Sequence, residues 1–370
     1  MKILVIQDRL RSGGTERQSL LLARSAAAAG HPTVLLTFRP GGALAADLGG
    51  LDHRSLQPFD TGLDWFAPGL CGAVRRARPD IVLCMGRMAN CYAGILQRKF
   101  PGSAVIATLR TGKPLPWLFR RSLRQVRQIV SNSRDARDRL IAHGGVPAER
   151  IAVIPNALVF APDLLRPDLR DVGEPAPDPG GRGGNQRPPG TVILLSVAMF
   201  RPEKNQRELV EIAAGLPQGI PWQLWLAGDG PARPACERLV RKRGLGERVR
   251  FLGYQADPSA AYAAAAIAVH ASRSESLSNF LCEAQARGLP AVAYEAQGIR
   301  ECFVPGRTGW AIAPGDRAAF RAAVEQLMAE PADRRADRAA EARAFARAAF
   351  DPDRQTAAYL DLFQRLAQKS

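Results

Sequence analysis

Twice along this chain a short apolar run stops at a turn of glycine, proline or charged residues, opens into a helix, and gives way to another apolar run. In the first half Lys2-Ile-Leu-Val-Ile6 leads through Gly13-Gly14-Thr-Glu-Arg17 into a helix from Gln18 to Ala28, closed by Gly30, and then into Pro32-Thr-Val-Leu-Leu-Thr-Phe38. In the second half Thr191-Val-Ile-Leu-Leu-Ser-Val197 leads through Arg201-Pro-Glu-Lys-Asn205 and a helix ending near Ala214 to Trp222-Gln-Leu-Trp-Leu-Ala227. A strand that crosses through a helix to the next strand returns parallel to the first. Each half is therefore expected to build an α/β parallel sheet, and open sheets of that kind bind ligands at the carboxyl ends of their strands.

The first half continues with strands at Asp80-Ile-Val-Leu-Cys84, Ala104-Val-Ile-Ala-Thr108, Gln128-Ile-Val-Ser131 and Ile151-Ala-Val-Ile154. They end in small or polar residues at Gly86-Arg87, Arg110-Thr-Gly112-Lys113, Asn132-Ser133 and Pro155-Asn156, which are expected to line one cleft. From Ala161 to Gly190 seven prolines and six glycines replace any hydrophobic period, marking a linker. The expected domains are 1–160, a linker 161–190, and 191–349, with a last helix in 350–370. A chain of 370 residues is long enough for two cores.

Other features bound the function. No run of about 18 apolar residues suggests a membrane span, and Met1-Lys-Ile-Leu-Val-Ile reads as a first strand rather than a signal peptide. Six scattered cysteines (Cys71, Cys84, Cys91, Cys236, Cys282, Cys302) form no C-x2-C pair and fit a reducing cytoplasm. No Asp-x-Asp in 191–349 and no His/Asp cluster has metal spacing, so no metal is expected. The formal charge of +16 fits nucleic acid, an anionic membrane, phosphorylated substrates, or simply an Arg- and Ala-rich composition. Within Trp117-Leu-Phe-Arg120-Arg121-Ser-Leu-Arg124-Gln-Val-Arg127, a helix places Trp117, Leu118 and Arg121 together and gives Arg120, Arg124 and Arg127 a common face. Such a helix suits an anionic surface or, more plainly, solvent.

The richest stretch lies between two expected strands, Ala266-Ile-Ala-Val-His-Ala271 and Ala291-Val-Ala-Tyr294. Ser278 is placed to cap a helix whose apolar stripe is Phe280, Leu281 and Ala284. Glu275 then falls in the loop ahead of the helix, expected to face solvent, and Glu283 on the helix itself. The two carboxylates span roughly 10 Å, given the helical rise per residue. That is the scale of a sugar and a ribose on either side of a diphosphate, for which a helix N-terminus offers N–H groups.

This spacing resembles the E-x7-E signature of family 4 glycosyltransferases, with Ser276-Leu277-Ser278-Asn279 where Gly-Phe-Gly is commoner. Gly-Gly-x-Glu-Arg at Gly13, Arg-Pro-Glu-Lys-Asn at Arg201, Gly228-Asp-Gly-Pro231, Val249-Arg-Phe-Leu-Gly253 and Gly306-Arg-Thr-Gly309 follow in the family's order. The resemblance covers nearly the whole chain. It implies the GT-B fold, two facing Rossmann-like domains, with the helix around Ala357-Ala-Tyr-Leu-Asp-Leu-Phe363 returning to the first. It implies a retaining, metal-independent hexosyltransferase that uses a nucleotide-diphosphate sugar and needs no cofactor. Glu275 would meet the donor sugar and Glu283 the ribose. Arg201 and Lys204 would serve the leaving diphosphate, Lys204 matching the family's lysine and Arg201 standing in for an arginine that is Met199 here. Ser276, Leu277, Ser278, Asn279, Gly298 and Glu301 would line the donor pocket, and Gly253 and Tyr254 would meet the base through backbone. Gly13, Gly14 and Arg110 would lie at the acceptor junction. The acceptor would be a glycan or lipid-linked glycan, on the cytoplasmic side of a membrane.

The family's histidine after the Asp80–Cys84 strand is missing: the chain reads Cys84-Met-Gly-Arg87. His270 and His143 read as structural and Asp229 as a turn residue. A nucleotide-sugar epimerase, an NAD-linked dehydrogenase (for which the G-x-G-x-x-G fingerprint is absent) and a non-catalytic glycan-binding relative are the competing readings.

Overall fold

The computed structural model describes residues 1–158 and 190–368, so the proline- and glycine-rich stretch lies, but for Gly190, outside the described residues. Two compact units divide the chain. One takes the residues up to 158 together with those from Phe350 onward, and the other takes the rest up to Ala349.

The first unit is built on β1 (Ile3–Gln7), β2 (Thr33–Thr37), β3 (Asp52–Ser55), β4 (Ile81–Cys84), β5 (Ala104–Leu109), β6 (Gln128–Ser131) and β7 (Ile151–Val153). Its helices are α1 (Gly14–Ala28), α2 (Leu70–Ala77), α3 (Arg87–Lys99), α4 (Trp117–Gln125) and α5 (Arg134–Gly144). The seven strands run β3-β2-β1-β4-β5-β6-β7, all parallel. Because side chains alternate across a strand, Leu4 and Ile6 of β1 enter the core on one face of the sheet, and Ile3 and Val5 the core on the other. Both faces are therefore apolar at the centre of the sheet, where the inner strands read as near-continuous hydrophobic runs.

The second unit repeats the plan with β8 (Val192–Val197), β9 (Trp222–Ala227), β10 (Val249–Gly253), β11 (Ile267–His270), β12 (Ala291–Tyr294) and β13 (Gly309–Ile312). Its helices are α6 (Gln206–Ala213), α7 (Arg233–Lys242), α8 (Ser259–Ala264), α9 (Asn279–Ala286), α10 (Arg317–Met328) and α11 (Ala332–Ala349). The strand order is β10-β9-β8-β11-β12-β13, again parallel. The last helix, α12 (Pro352–Ala367), belongs to the first unit. Its Tyr359, Leu362, Phe363 and Leu366 join the core made by Ile3, Val5, Leu35 and Ile106. Gln355 fixes it by donating to Gln18 Oε1 and to the Pro155 carbonyl, each at 2.7 Å.

Some boundaries differ from those read in the sequence. Helix α1 begins at Gly14, so the Gly-Gly pair is not an open loop: Gly13 is its N-cap and Gly14 its first residue. A Cβ on Gly13 would meet Glu16 Oε2 at 2.4 Å, because that carboxylate folds back over the positive end of the helix. Helix α4 stops at Gln125, which leaves Arg127 off the face shared by Arg120 and Arg124. Helix α7 begins at Arg233, with Pro234 in its first turn, where the ring costs no hydrogen bond. Strand β3, Asp-His-Arg-Ser, was not anticipated. It is a polar edge strand, so no apolar run announces it.

In each sheet the direction of strand addition reverses once, between β1 and β4 and between β8 and β11. At such a point the loops after two adjacent strands part and leave a crevice at the carboxyl edge. The chemistry-bearing side chains collect there.

Candidate functional site

In the second unit β8 pairs directly with β11, Leu194 opposite Ile267 and Leu195 opposite Ala268. The loops that follow them are therefore neighbours, although 71 positions separate Lys204 from Glu275. After β8 the chain makes a single 3-10 turn, Pro202–Lys204. The Arg273 N–H donates to the Glu203 carbonyl at 2.8 Å and joins this turn to the loop after β11. Glu275 points inward. The expectation that it faces solvent is corrected: it is 8% exposed, and its Oε1 accepts from Lys204 Nζ at 2.5 Å and from His270 Nε2 at 2.8 Å. A carboxylate only accepts, so Nε2 carries the proton in that bond. Burial alone would push the Glu275 pKa up, but the Lys204 charge and the His270 hydrogen bond outweigh it and hold the group well below the usual carboxylate range. Glu275 is an anion fixed in place.

Glu283 is held independently. It is 6% exposed, and Tyr262 of α8 donates its hydroxyl to Oε2 at 2.6 Å. Burial, with the Glu283 charge beside it, raises the Tyr262 pKa well above its ordinary value, so the hydroxyl stays a donor. Phe280 lies against both supporting residues, stacked on Tyr262 at 6.1 Å and tilted against His270 at 5.6 Å. One aromatic in the first turn of α9 thus packs on the partners of both carboxylates. Sequence reasoning read His270 as structural and did not single out Tyr262. His270 had one signal, a polar residue ending a buried strand, whereas Tyr262 in an alanine-rich six-residue helix had none.

Between the two glutamates, Ser276, Leu277 and Ser278 are buried and Asn279 is half-buried at the start of α9. Ser278 occupies the N-cap position, but its side chain makes no cap hydrogen bond, contrary to expectation. Gln297 Nε2 donates to Ser276 Oγ at 3.2 Å, and Cys302 Sγ reaches the carbonyls of Ser278 and Gly298 at 3.8 and 3.4 Å. These contacts bring the loop with Gly298 and Glu301 beside the start of α9. Gly298 has a φ of +72°, a conformation that favours glycine.

The Gly228-Asp-Gly230 turn after β9 wraps the backbone of the loop after β8. A Cβ on Gly228 would meet the Ala198 carbonyl oxygen at 2.1 Å, and one on Gly230 the Phe200 oxygen at 2.5 Å. The Gly228 N–H donates to the Gly253 carbonyl at 2.7 Å, which ties in the end of β10, where Tyr254 stands exposed. Asp229 is a turn residue, accepting from the Gly230 N–H. Arg201 makes no ion pair among the described residues and is half-buried one turn from Lys204.

The remaining expected residues, Gly13, Gly14 and Arg110, belong to the first unit. Arg110 donates to Asn156 Oδ1 at 2.5 Å and to the Tyr359 hydroxyl at 3.0 Å, which makes it a fastener of α12. The crevice of this unit holds a carboxylate not singled out in the sequence. Asp8, just past β1, accepts from the backbone N–H groups of Met88 and Ala89 in the first turn of α3, at 3.0 and 2.8 Å. Burial pushes its pKa up to about 6 against those two bonds, and the nearby Asp64 and Glu16 push the same way. Gly86 has no Cβ because Asp8 Oδ1 would lie 2.1 Å from it.

Among the described residues no three or more His, Cys, Asp or Glu gather as a metal site, and no helix is long and apolar enough to cross a membrane.

Both halves match family models: residues 12–159 that described as Glycosyltransferase Family 4, and residues 182–345 that described as Glycosyl transferases group 1. A lipopolysaccharide core biosynthesis glycosyltransferase of Rhizobium meliloti is 34% identical over 143 residues, 39% of this chain and 41% of that protein. The alpha-D-kanosaminyltransferase of Streptomyces kanamyceticus is 30% identical over 222 residues, 58% of this chain and 54% of that one. The matched region spans about half the length of these curated relatives. The crystal structure of Anabaena HepE in complex with UDP superposes with a TM-score of 0.78 at 21% identity, covering 99% of this chain and all of that one. At that identity the likeness is one of fold.

Proposed function

Because the chain belongs to the GT-B glycosyltransferases, with family 4 and group 1 models matching its two halves, we propose that it transfers a hexose from a nucleotide-diphosphate sugar to a glycan or lipid-linked acceptor, with retention at the anomeric carbon and without a metal. The observation that carries the reading is the pair Glu275 and Glu283. Both are buried at the carboxyl edge of the second sheet, each held by its own donor, with Lys204 against the first. Two fixed acceptors of hydroxyl protons flanking a helix start suit a sugar, a diphosphate and a ribose in that order.

In this reading Glu275 receives the donor sugar and Glu283 the ribose. Lys204, with two ammonium protons beyond the one given to Glu275, and Arg201 receive the diphosphate as its bond to the sugar breaks. Ser276, Leu277, Ser278 and Asn279 form the wall between, Gly298 and Glu301 close the pocket, and Gly253 and Tyr254 meet the base. The acceptor's hydroxyl attacks the face from which the diphosphate departs, through an ion pair with oxocarbenium character. The protein's part is electrostatic, and each fixed donor to the leaving group contributes about 2–4 kcal/mol at the transition state. The acceptor is assigned to the first unit, near Gly13 and Gly14. The partners are the donor, the acceptor and, through the arginines of α4, an anionic membrane on its cytoplasmic face. Nucleic acid and an added cofactor have no part.

HepE is described in complex with UDP and with UDP-glucose, so UDP-sugars come first in a thermal-shift panel beside GDP- and ADP-sugars. A donor at a hundred times its Kd adds ~2.7 kcal/mol. Release of nucleotide diphosphate only when acceptor is present supports a transferase. Interconversion of the sugar on the nucleotide would instead mean an epimerase, and binding without turnover a glycan-binding relative.

A further inference from the structure

The first unit has a loop built inside out. Gln57, 1% exposed, turns its amide inward to the carbonyls of Leu63 and Phe66, and its oxygen accepts from the Thr61 hydroxyl at 2.8 Å. The two carboxylates of the loop are also spent within the unit. Asp60 pairs with Arg9 and Arg39, and Asp64 with Arg39 and Arg11, at 2.6 to 3.0 Å. What remains outside is apolar: Phe59 is 70% exposed, Leu63 42%, Trp65 58% and Phe66 40%. Three arginines thus hold a loop in the conformation that puts four large hydrophobic side chains in water.

A second exposed apolar pair stands nearby. Trp117 and Leu118, 62% and 43% exposed, open α4. Both features are fastened to the first turns of α3. The Tyr92 hydroxyl donates to the Trp65 carbonyl at 2.6 Å, while Arg87 donates to the Pro114 carbonyl at 2.7 Å and Ser122 to the Cys91 carbonyl at 2.8 Å. A shallow hollow of about 270 Å³, lined in part by Leu70, Tyr92 and Ile95, opens beside the loop. The charge of the segment that carries α3 and α4 has one sign. From Ile81 to Arg134 there are ten Lys and Arg and no Asp or Glu. Arg121 lies over the Trp117 ring at 5.5 Å, and Arg120 and Arg124 share the exposed face of α4.

We propose that this face docks on an anionic lipid surface, with the loop at 59–66 and the start of α4 as two aromatic prongs fastened to α3 and the arginines of α4 beside the second to meet the headgroups. Tryptophan beside arginine, with the loop's carboxylates Asp60 and Asp64 neutralised by Arg9, Arg11 and Arg39, fits the level of the headgroups. Four exposed aromatics that flank two different elements do not form the continuous stacking groove that a nucleic acid strand requires. This deepens the membrane contact assigned above to α4 by adding a second prong and the arginines that brace it. It can be read without turnover, so its failure and that of the transferase reading are separable.

The test is vesicle co-sedimentation of the full chain on phosphatidylcholine with and without 30% phosphatidylglycerol, alongside the Trp65→Ser/Phe66→Ser variant and the Arg120→Gln/Arg121→Gln/Arg124→Gln variant. The wild type should bind the anionic vesicles only. The loop variant should weaken binding at least tenfold at every salt concentration. The arginine variant should weaken it at low salt and flatten the salt dependence. Trp65 and Trp117 should be quenched by lipids brominated on the acyl chains, and release of nucleotide diphosphate with a water-soluble acceptor should be unchanged in both variants. Equal binding by the loop variant, or absence of quenching, would overturn the proposal. So would binding of single-stranded nucleic acid that these substitutions abolish while vesicle binding persists.

Discussion

At the scale of residues, the arrangement changes what a substitution at Glu275 tests. The carboxylate is buried against Lys204 and His270, so Glu275→Gln removes both the proposed ligand for the donor sugar and the partner of a half-buried ammonium. It should lose more than nine-tenths of turnover and cost ~1–3 kcal/mol of stability by denaturant titration, because an unpartnered buried charge is left behind. Lys204→Ala should lower kcat by ~10²-fold or more, the scale of one transition-state donor; an effect within threefold would remove Lys204 from the diphosphate. Tyr262→Phe keeps the stack on Phe280 and deletes only the bond to Glu283. It should raise the donor KM about tenfold with kcat nearly unchanged, a split that a packing defect would not produce. Asp8 is argued by sign. Its pKa is raised in the fold from 3.8 to about 6, so the native state binds its proton more tightly, and the stability linked to it falls as pH rises from about 4 through 6. The stability of the wild type minus that of Asp8→Asn should drop by about 2–3 kcal/mol across that window, and a flat difference would show that Asp8 is not the group. The sequence made the two glutamates visible as a spacing. It could not make the Lys204–Glu275 contact visible, since that depends on β8 lying next to β11.

Elements were legible in proportion to how much they bury. The inner strands β1, β4, β5, β8 and β12 are apolar but for Gln7, Thr108 and Ser196 near their carboxyl ends, and a parallel sheet covered on both faces demands such runs. Edge strand β3 is four polar residues and left no trace, and α8 is too short and too rich in alanine to show a stripe. Helix ends were misjudged where capping is unusual, as at Gly13, whose place is filled by the Glu16 carboxylate rather than by a cap side chain. Helix α12 depends on packing. Phe363 is 2% exposed and Tyr359 fully buried against β1 and β5 residues. Phe363→Ala should cost ~3–5 kcal/mol, read as an earlier denaturant midpoint of the first unit. A shift below about 1 kcal/mol would mean that α12 is held by Gln355 and Arg110 rather than by its apolar face.

At the scale of the whole molecule, the metal-free reading predicts that a chelator leaves turnover unchanged. Loss of activity in EDTA that magnesium restores would overturn it. The parallel-sheet plan was legible from the doubled strand–turn–helix pattern, while the charge of +16 could not be located from composition, because only the fold shows which arginines are spent inside on Asp60 and Asp64. The helix that closes the first unit's core is also the last described stretch of the chain, and that has a consequence in time. A ribosome adding 5–20 residues per second needs roughly 10–40 s to pass from the end of β7 to the end of α12. Throughout that interval the first sheet can form, but the face lined by Ile3, Val5, Leu35 and Ile106 has only α1, through Leu20, Leu22, Ala23 and Ala26, as its helical cover. Each newborn chain must therefore shield the part of that face that α12 will cover by other means while the whole second unit is being synthesised, and a ribosome stalled within the window would hold out a native sheet with one side half covered.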